Sequence, residues 1–316
     1  MGRGYHVRGR RHGGRRIVRD FLKGRRMMRR PETPNLICAS HTISGTMPGK
    51  PARHPFAERV QAVAEAGFDG LTIHFRDHQH LLAGAADPGA LRDCVAAAGL
   101  TVSEVEFLSD WHRDPLGGSV RQAIKTAHLF GARRINVGAD LAGLNIPLSD
   151  LVEPFRRLTG AIGEAGLTTA LEVIAWGTVG SVPRAVDLLG EARGPAGLLL
   201  DNWHLAALGG GPSDLPDPSL VAGLQISDAL RMSDHPARTA MDATLQRLFP
   251  GEGQLDIPAF LGALWSAALR CGVTVEVISA DAAEAPVRHC AMRAADTARQ
   301  VLAQATPSSG KAASHV

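Results

Sequence analysis

From residue 35 onward the chain alternates short apolar runs with longer stretches whose apolar residues recur at helical spacing. The runs predict strands over 36–40, 70–75, 102–108, 134–137, 169–174, 197–200, 223–226 and 273–277. Between them the spacing predicts helices over 55–66, 88–98, 117–130, 148–165, 181–192, 203–208, 257–270 and 286–304. Ala-Gly pairs at 66–67, 98–99 and 165–166 have the form of helix C-caps that release the chain into the next strand. Eight strands alternating with helices suit a single-domain α/β fold, a closed (β/α)8 TIM barrel. The competing open, doubly wound sheet lacks support. No Gly-x-Gly-x-x-Gly follows the first strand, and Gly209-Gly210-Gly211 lies in a loop.

Composition changes this picture mainly at the ends. The 316 residues carry a net charge of +3, but eleven arginines and Lys23 stand against Asp20 alone within residues 1–30. The rest of the chain holds 22 basic and 30 acidic residues. Residues 1–30 are therefore expected to be a disordered basic tail, with Met27 or Met28 as candidate starts. The barrel is expected over 31–305 and a second disordered tail over 306–316. An acidic body counts against nucleic acid as a partner. No apolar run of membrane-spanning length and no signal sequence appear, and Cys38, Cys94, Cys271 and Cys290 form no Cys-x-x-Cys pair. The expectation is a cytoplasmic protein with reduced thiols, a small polar substrate, no membrane partner, and scope for a homo-oligomer.

A barrel places its chemistry where strands end. Strand five carries Glu172 inside an apolar run, and strand six ends at Asp201, with His204 three residues on. Strand seven carries Gln225 and strand eight Glu276. Three carboxylates converging on one mouth would repel unless a cation sits among them. An oxygen-rich set of this kind suits Mn²⁺ or Mg²⁺, with Co²⁺, Zn²⁺ or Fe²⁺ as alternatives. Weaker candidates come from the first half: His41, His74, Arg76, Glu106, Asp110 and Trp111, with Trp176 later. Arg76 is the preferred anion contact, and Trp111 and Trp176 are expected to form an apolar wall. Asn202 and Trp203 have no assigned role.

The ordered set Leu171-Glu172-Val173, Leu200 to His204, Leu224 to Arg231, Pro250 to Gly253 and Val275 to Val277 resembles the xylose isomerase-like barrel superfamily. This sugar phosphate isomerase/epimerase group includes inosose and 3-dehydroshikimate dehydratases and the endonuclease IV nucleases. The resemblance implies one divalent metal held by Glu172, Asp201, Gln225 and Glu276, with His204 and Arg231 touching substrate. Glu172, Glu276 and His204 are then the catalytic candidates, and Arg231, Arg76, His74 and Trp111 the substrate-binding ones. Gln225 stands where many epimerases have histidine, a departure that dehydroshikimate dehydratase-like members share. Gly251 and Gly253 match a loop that turns sharply near the mouth.

The leading expectation is a metal-dependent sugar (phosphate) isomerase or epimerase that abstracts a proton beside a metal-bound carbonyl. The alternative is a 3-dehydroshikimate or inosose dehydratase. An abasic-site nuclease ranks far lower, because Gln225 replaces a histidine and Asp234-His235 lacks the Asp-x-His spacing. A non-catalytic, metal-binding barrel is the remaining reading.

Overall fold

Every apolar run becomes a strand in the computed structural model, which describes Met1 and residues 33–211, 214–231 and 239–305. The strands are β1 (Leu36–Cys38), β2 (Gly70–His74), β3 (Thr101–Leu108) and β4 (Arg134–Val137), followed by β5 (Thr168–Glu172), β6 (Ala196–Asp201), β7 (Val221–Ile226) and β8 (Val273–Val275). They pair in chain order, all parallel, and β8 closes on β1. Such strands are covered on both faces, which is why they read as runs and not as alternations. In β6, Leu198, Leu199 and Leu200 have no exposed surface.

The barrel expectation therefore holds. The basic tail, the C-terminal tail and Asp234-His235 lie outside the described residues. No described helix is long and apolar enough to cross a membrane.

Helices pack their apolar stripes onto the barrel. Leu148–Glu164 buries Leu151, Phe155, Leu158, Thr159 and Ile162, a spacing of three and four that keeps them on one face. Val287–Gln304 buries Cys290, Ala291, Ala294, Ala295, Ala298 and Val301, small residues that let this helix lie close to Phe56–Glu65. Gly67 and Gly99 adopt φ of +75° and +73°, which releases each helix into a strand without a Cβ clash.

The structure departs from the expected helices in five places. The span 257–270 is two segments, Ile257–Ala263 and Trp265–Cys271, with Leu264 between them at φ −106°. Short helices at Ser40–Ile43 and Phe75–Ala83 follow β1 and β2, where the periodicity predicts no helix. Helices Ala240–Ala243 and Ala280–Glu284 were likewise absent from the periodicity.

Candidate active site

Parallel register sets neighbouring strand ends at one height. Asp201 on β6 pairs with Gln225 on β7, and Glu172 on β5 pairs with Leu199. The strand ends open into a cavity of about 370 Å³ lined by Glu106, Glu172, Gln225, Glu276, His41, His74, His204, Arg76 and Arg247. Apolar cover comes from Ile174, Trp176, Leu141, Leu245 and Ile278.

Asp201 has no exposed surface and carries several contacts. Its Oδ1 accepts the Trp203 N–H at 2.8 Å and so caps helix Asn202–Ala207. Its Oδ2 accepts Arg247 Nη1 at 2.6 Å. The same Nη1 donates to Glu276 Oε2 at 3.1 Å. Arg247 is itself 2% exposed, is steadied by Thr244 Oγ1 at 3.1 Å, and lies over the Trp203 ring at 5.1 Å. Trp203 is thus the floor beneath the guanidinium. Asn202 clamps β6 to β7: its Nδ2 donates to Ser227 O, and its Oδ1 accepts the Ser227 N–H, both at 2.9 Å.

Two walls face each other across Glu276 and Arg247. On the β5–β6 side, His204 Nε2 stands 3.3 Å from Glu172 Oε1, and Ala175 N–H donates to His204 Nδ1 at 3.4 Å. On the β1–β3 side, His41 Nδ1 lies 3.7 Å from Glu276 Oε1. Glu106 Oε1 accepts Thr72 Oγ1 at 2.6 Å and Ser40 N–H at 3.2 Å. His41 and His74 meet edge to face with ring centroids 5.3 Å apart.

Burial dominates the electrostatics. It pushes Glu106 and Glu172 up to about 8, with the charge of Glu276 adding to both. Glu276 is also buried, but facing His41 and the Arg247 charge outweigh that and hold it at about 2. Asp201 is raised by burial, which Arg247 offsets only in part. Burial lowers His204 to about 4 and His74 to about 3. At His41 burial acts downward, yet Glu276 and Glu106 raise it overall.

The donor set fits a divalent cation. Glu172, Asp201 and His204 offer ligand atoms within 4.8 Å of one another, as do His41, Glu106 and Glu276. Gln225 Oε1 is buried on the cavity wall and has no hydrogen-bond partner. A buried amide oxygen left unpaired beside carboxylates has the chemistry of a ligand.

Of the residues singled out in the sequence, Glu172, Gln225, Glu276, His204, His74 and Arg76 reach this cavity, and Asp201 meets it through Arg247. Two others do not. Trp111 is 1% exposed, donates Nε1–H to Gly138 O at 2.7 Å and packs on Phe155, so it belongs to the core. Trp176 does line the cavity. Arg231 is exposed and its backbone N–H is held by Gln254 Oε1 at 2.8 Å, away from the cavity lining. The arginine brought in is Arg247, three residues before Pro250-Gly251. Proximity to that glycine turn, and not a count from Gln225, was the available signal. Asp228 ties the turn down, accepting Gly251 N–H at 2.9 Å and Leu255 N–H at 3.0 Å. A Cβ on Gly253 would meet Asp228 Oδ1 and Ala229 O, so glycine is required there.

Comparison with known proteins adds the lineage. Residues 60–299 match the family model described as a xylose isomerase-like TIM barrel. The chain is 30% identical over 280 residues to a 3-dehydroshikimate dehydratase of Pseudomonas putida, an alignment that takes in 84% of this chain and 40% of the relative. The chain thus spans about two fifths of the length of that curated relative. A solved xylose isomerase-like TIM barrel/4-hydroxyphenylpyruvate dioxygenase fusion protein is 25% identical, with a TM-score of 0.68 over 87% of this chain and 45% of its own. The structure of the IOLI protein with a binding zinc atom superposes with a TM-score of 0.73 at 16% identity, over 86% and 99% of the two chains, a likeness of fold.

Proposed function

The chain belongs to the xylose isomerase-like TIM barrel family, and on that footing we propose that it is a lyase dehydrating a cyclic keto acid of the 3-dehydroshikimate kind. The observation that carries this reading is the 30% identity to a 3-dehydroshikimate dehydratase across 84% of the chain. Gln225, the amide that distinguishes this ligand set from a histidine-bearing one, is consistent with it. The isomerase or epimerase expectation gives way to this alternative, because the curated relative is a dehydratase.

Glu172, Asp201, Gln225 and Glu276 would hold a divalent cation, Mn²⁺ or Mg²⁺ by donor type, whose chemistry is to polarise the substrate carbonyl and acidify the neighbouring C–H. The chain's own groups then divide by wall. The bond from Ala175 N–H to His204 Nδ1 assigns the ring proton to Nε2, which points it at Glu172 Oε1. His204 therefore orients Glu172, and Glu172 takes the proton from the carbon beside the carbonyl. The C–H electron pair enters the enolate. On the opposite wall His41, whose charged form is favoured, gives its proton to the β-hydroxyl; the enolate pair forms the new C=C bond as the C–O bond breaks and water leaves. Arg247 balances the charge that accumulates between the walls. Trp176 and Ile174 offer an apolar face to a ring.

The test is 3-dehydroshikimate with Mn²⁺-loaded protein, following growth of the aromatic product in the near ultraviolet. Turnover is expected, and His41→Ala, which removes the general acid, should lower kcat by about 10²–10⁴-fold. Turnover of a ketose or an inosose, with 3-dehydroshikimate left intact, would overturn the reading.

A further inference from the structure

A second chamber of about 230 Å³ opens beside the catalytic cavity, between the segments that follow β1 and β2. The two share His41, Gly49, His74 and Arg76, so these residues form the wall common to both. Their charges are opposite. The catalytic cavity is lined by Glu106, Glu172 and Glu276, with the buried Arg247 guanidinium among them and Arg76 on the shared wall. The side chamber presents Arg76, Lys50 and His80. Its one carboxylate, Asp77, is committed to Arg59 at 2.7 Å and to the Ala52 N–H at 3.4 Å.

Among the described residues Arg76 makes one ion pair, with Asp110 at 3.1 Å, and lies over the Phe75 ring at 5.7 Å; the Arg76 and Asp110 side chains are both more than half exposed (57% and 58%). Exposed pairs of this kind are weak and exchange readily with a competing anion. Lys50 makes no ion pair among the described residues. Acidic side chains line the catalytic cavity and basic ones the side chamber, so an anion borne by the substrate is better placed in the latter. The side chamber supplies cations outside that acidic cluster.

We propose that the side chamber is an anion subsite in which Arg76 and Lys50 hold a carboxylate or phosphate borne by the substrate, while its carbonyl end lies in the adjoining catalytic cavity. The proposal rests on the function argued above and names the substrate class as an anionic one. A bidentate guanidinium and a flexible ammonium suit either anion, so carboxylate and phosphate must be separated by experiment.

The experiment measures dissociation constants by calorimetry on Mn²⁺-loaded protein, with two ligand pairs. One pair is 3,4-dihydroxybenzoate and catechol, the other ribulose 5-phosphate and ribulose. For at least one pair the wild type should bind the anionic member about tenfold or more tightly than the neutral one, a preference of about 1.4 kcal/mol. The pair that shows it identifies the anion. In Arg76→Gln/Lys50→Gln that preference should vanish, with affinity for the neutral member unchanged and the circular dichroism spectrum intact. Raising ionic strength should weaken anion binding in the wild type and not in the double variant. An unaltered preference in the double variant, or no preference in the wild type, overturns the subsite. The outcomes stay separable: 3-dehydroshikimate turnover with an unaltered preference sinks the subsite alone. A preference that depends on Arg76 and Lys50, without that turnover, sinks the dehydratase reading alone.

Discussion

Asp201 and Arg247 show how much of the site hangs on single side chains. Both are almost wholly buried, 2.6 Å apart, and Arg247 also reaches Glu276. Arg247→Met keeps the stem over Trp203 but leaves two buried carboxylates without their cation. Urea denaturation should register a loss of about 3–5 kcal/mol. Adding Asp201→Asn should recover part of it, so that the double change costs less than the two single ones combined. A loss below about 1 kcal/mol would mean that the guanidinium does not neutralise the cluster. The carboxylates themselves were legible in the sequence, because an acid inside an apolar strand has few bland explanations and three of them have almost none. Arg247 was not legible. It lies in the long connection after β7, where the path of the chain, and not spacing, decides which arginine turns inward. Trp111 failed for the reverse reason: an indole just past a strand end reads the same whether it faces the mouth or the surrounding helices.

At the scale of elements, the glycine caps mark where helix hands over to strand. Gly99 and Gly166 have φ of +73° and +75°, and a Cβ at either would meet no atom within 4 Å. Gly99→Ala and Gly166→Ala therefore test conformation alone. Each should cost about 1–2 kcal/mol in urea denaturation, the strain of a left-handed alanine. Both glycines precede strands, at the barrel end opposite the site, so kcat/KM should stay at the wild-type value. A fall in kcat/KM would place an unseen coupling between the two ends. The eight strands were legible for a related reason. Runs such as Leu198–Leu200 can be satisfied only where both faces are covered, and glycine caps fix where they begin. The helices Ser40–Ile43 and Phe75–Ala83 escaped because their buried positions include the polar Ser40, Thr42 and His78, which interrupt an apolar stripe.

For the molecule as a whole, the same carboxylates tie stability to protons and to the cation. Glu106 and Glu172 titrate at about 8 in the fold, against an ordinary value of 4.5. The folded state thus keeps protons that the unfolded chain has already released, and stability falls as pH rises towards 8. His41, raised above 6.5, acts in the same sense. His74 and His204, lowered to about 3 and 4, act oppositely, but only below 6.5, where the unfolded imidazoles take up protons. Between pH 6.5 and 8 all the resolved shifts in the cavity therefore point one way. With chelator present, Tm should fall steadily across this window. Saturating Mn²⁺ should raise Tm at every pH in it and flatten the slope, because a cation held by Glu172, Asp201, Gln225 and Glu276 replaces the protons that relieved their repulsion. Proton release on Mn²⁺ addition, followed in weakly buffered solution, should be larger at pH 7 than at pH 8.5. A flat melting profile in chelator would mean that these carboxyls are not held protonated. A Mn²⁺ effect that survives Gln225→Leu/Glu276→Gln would move the cation elsewhere in the barrel.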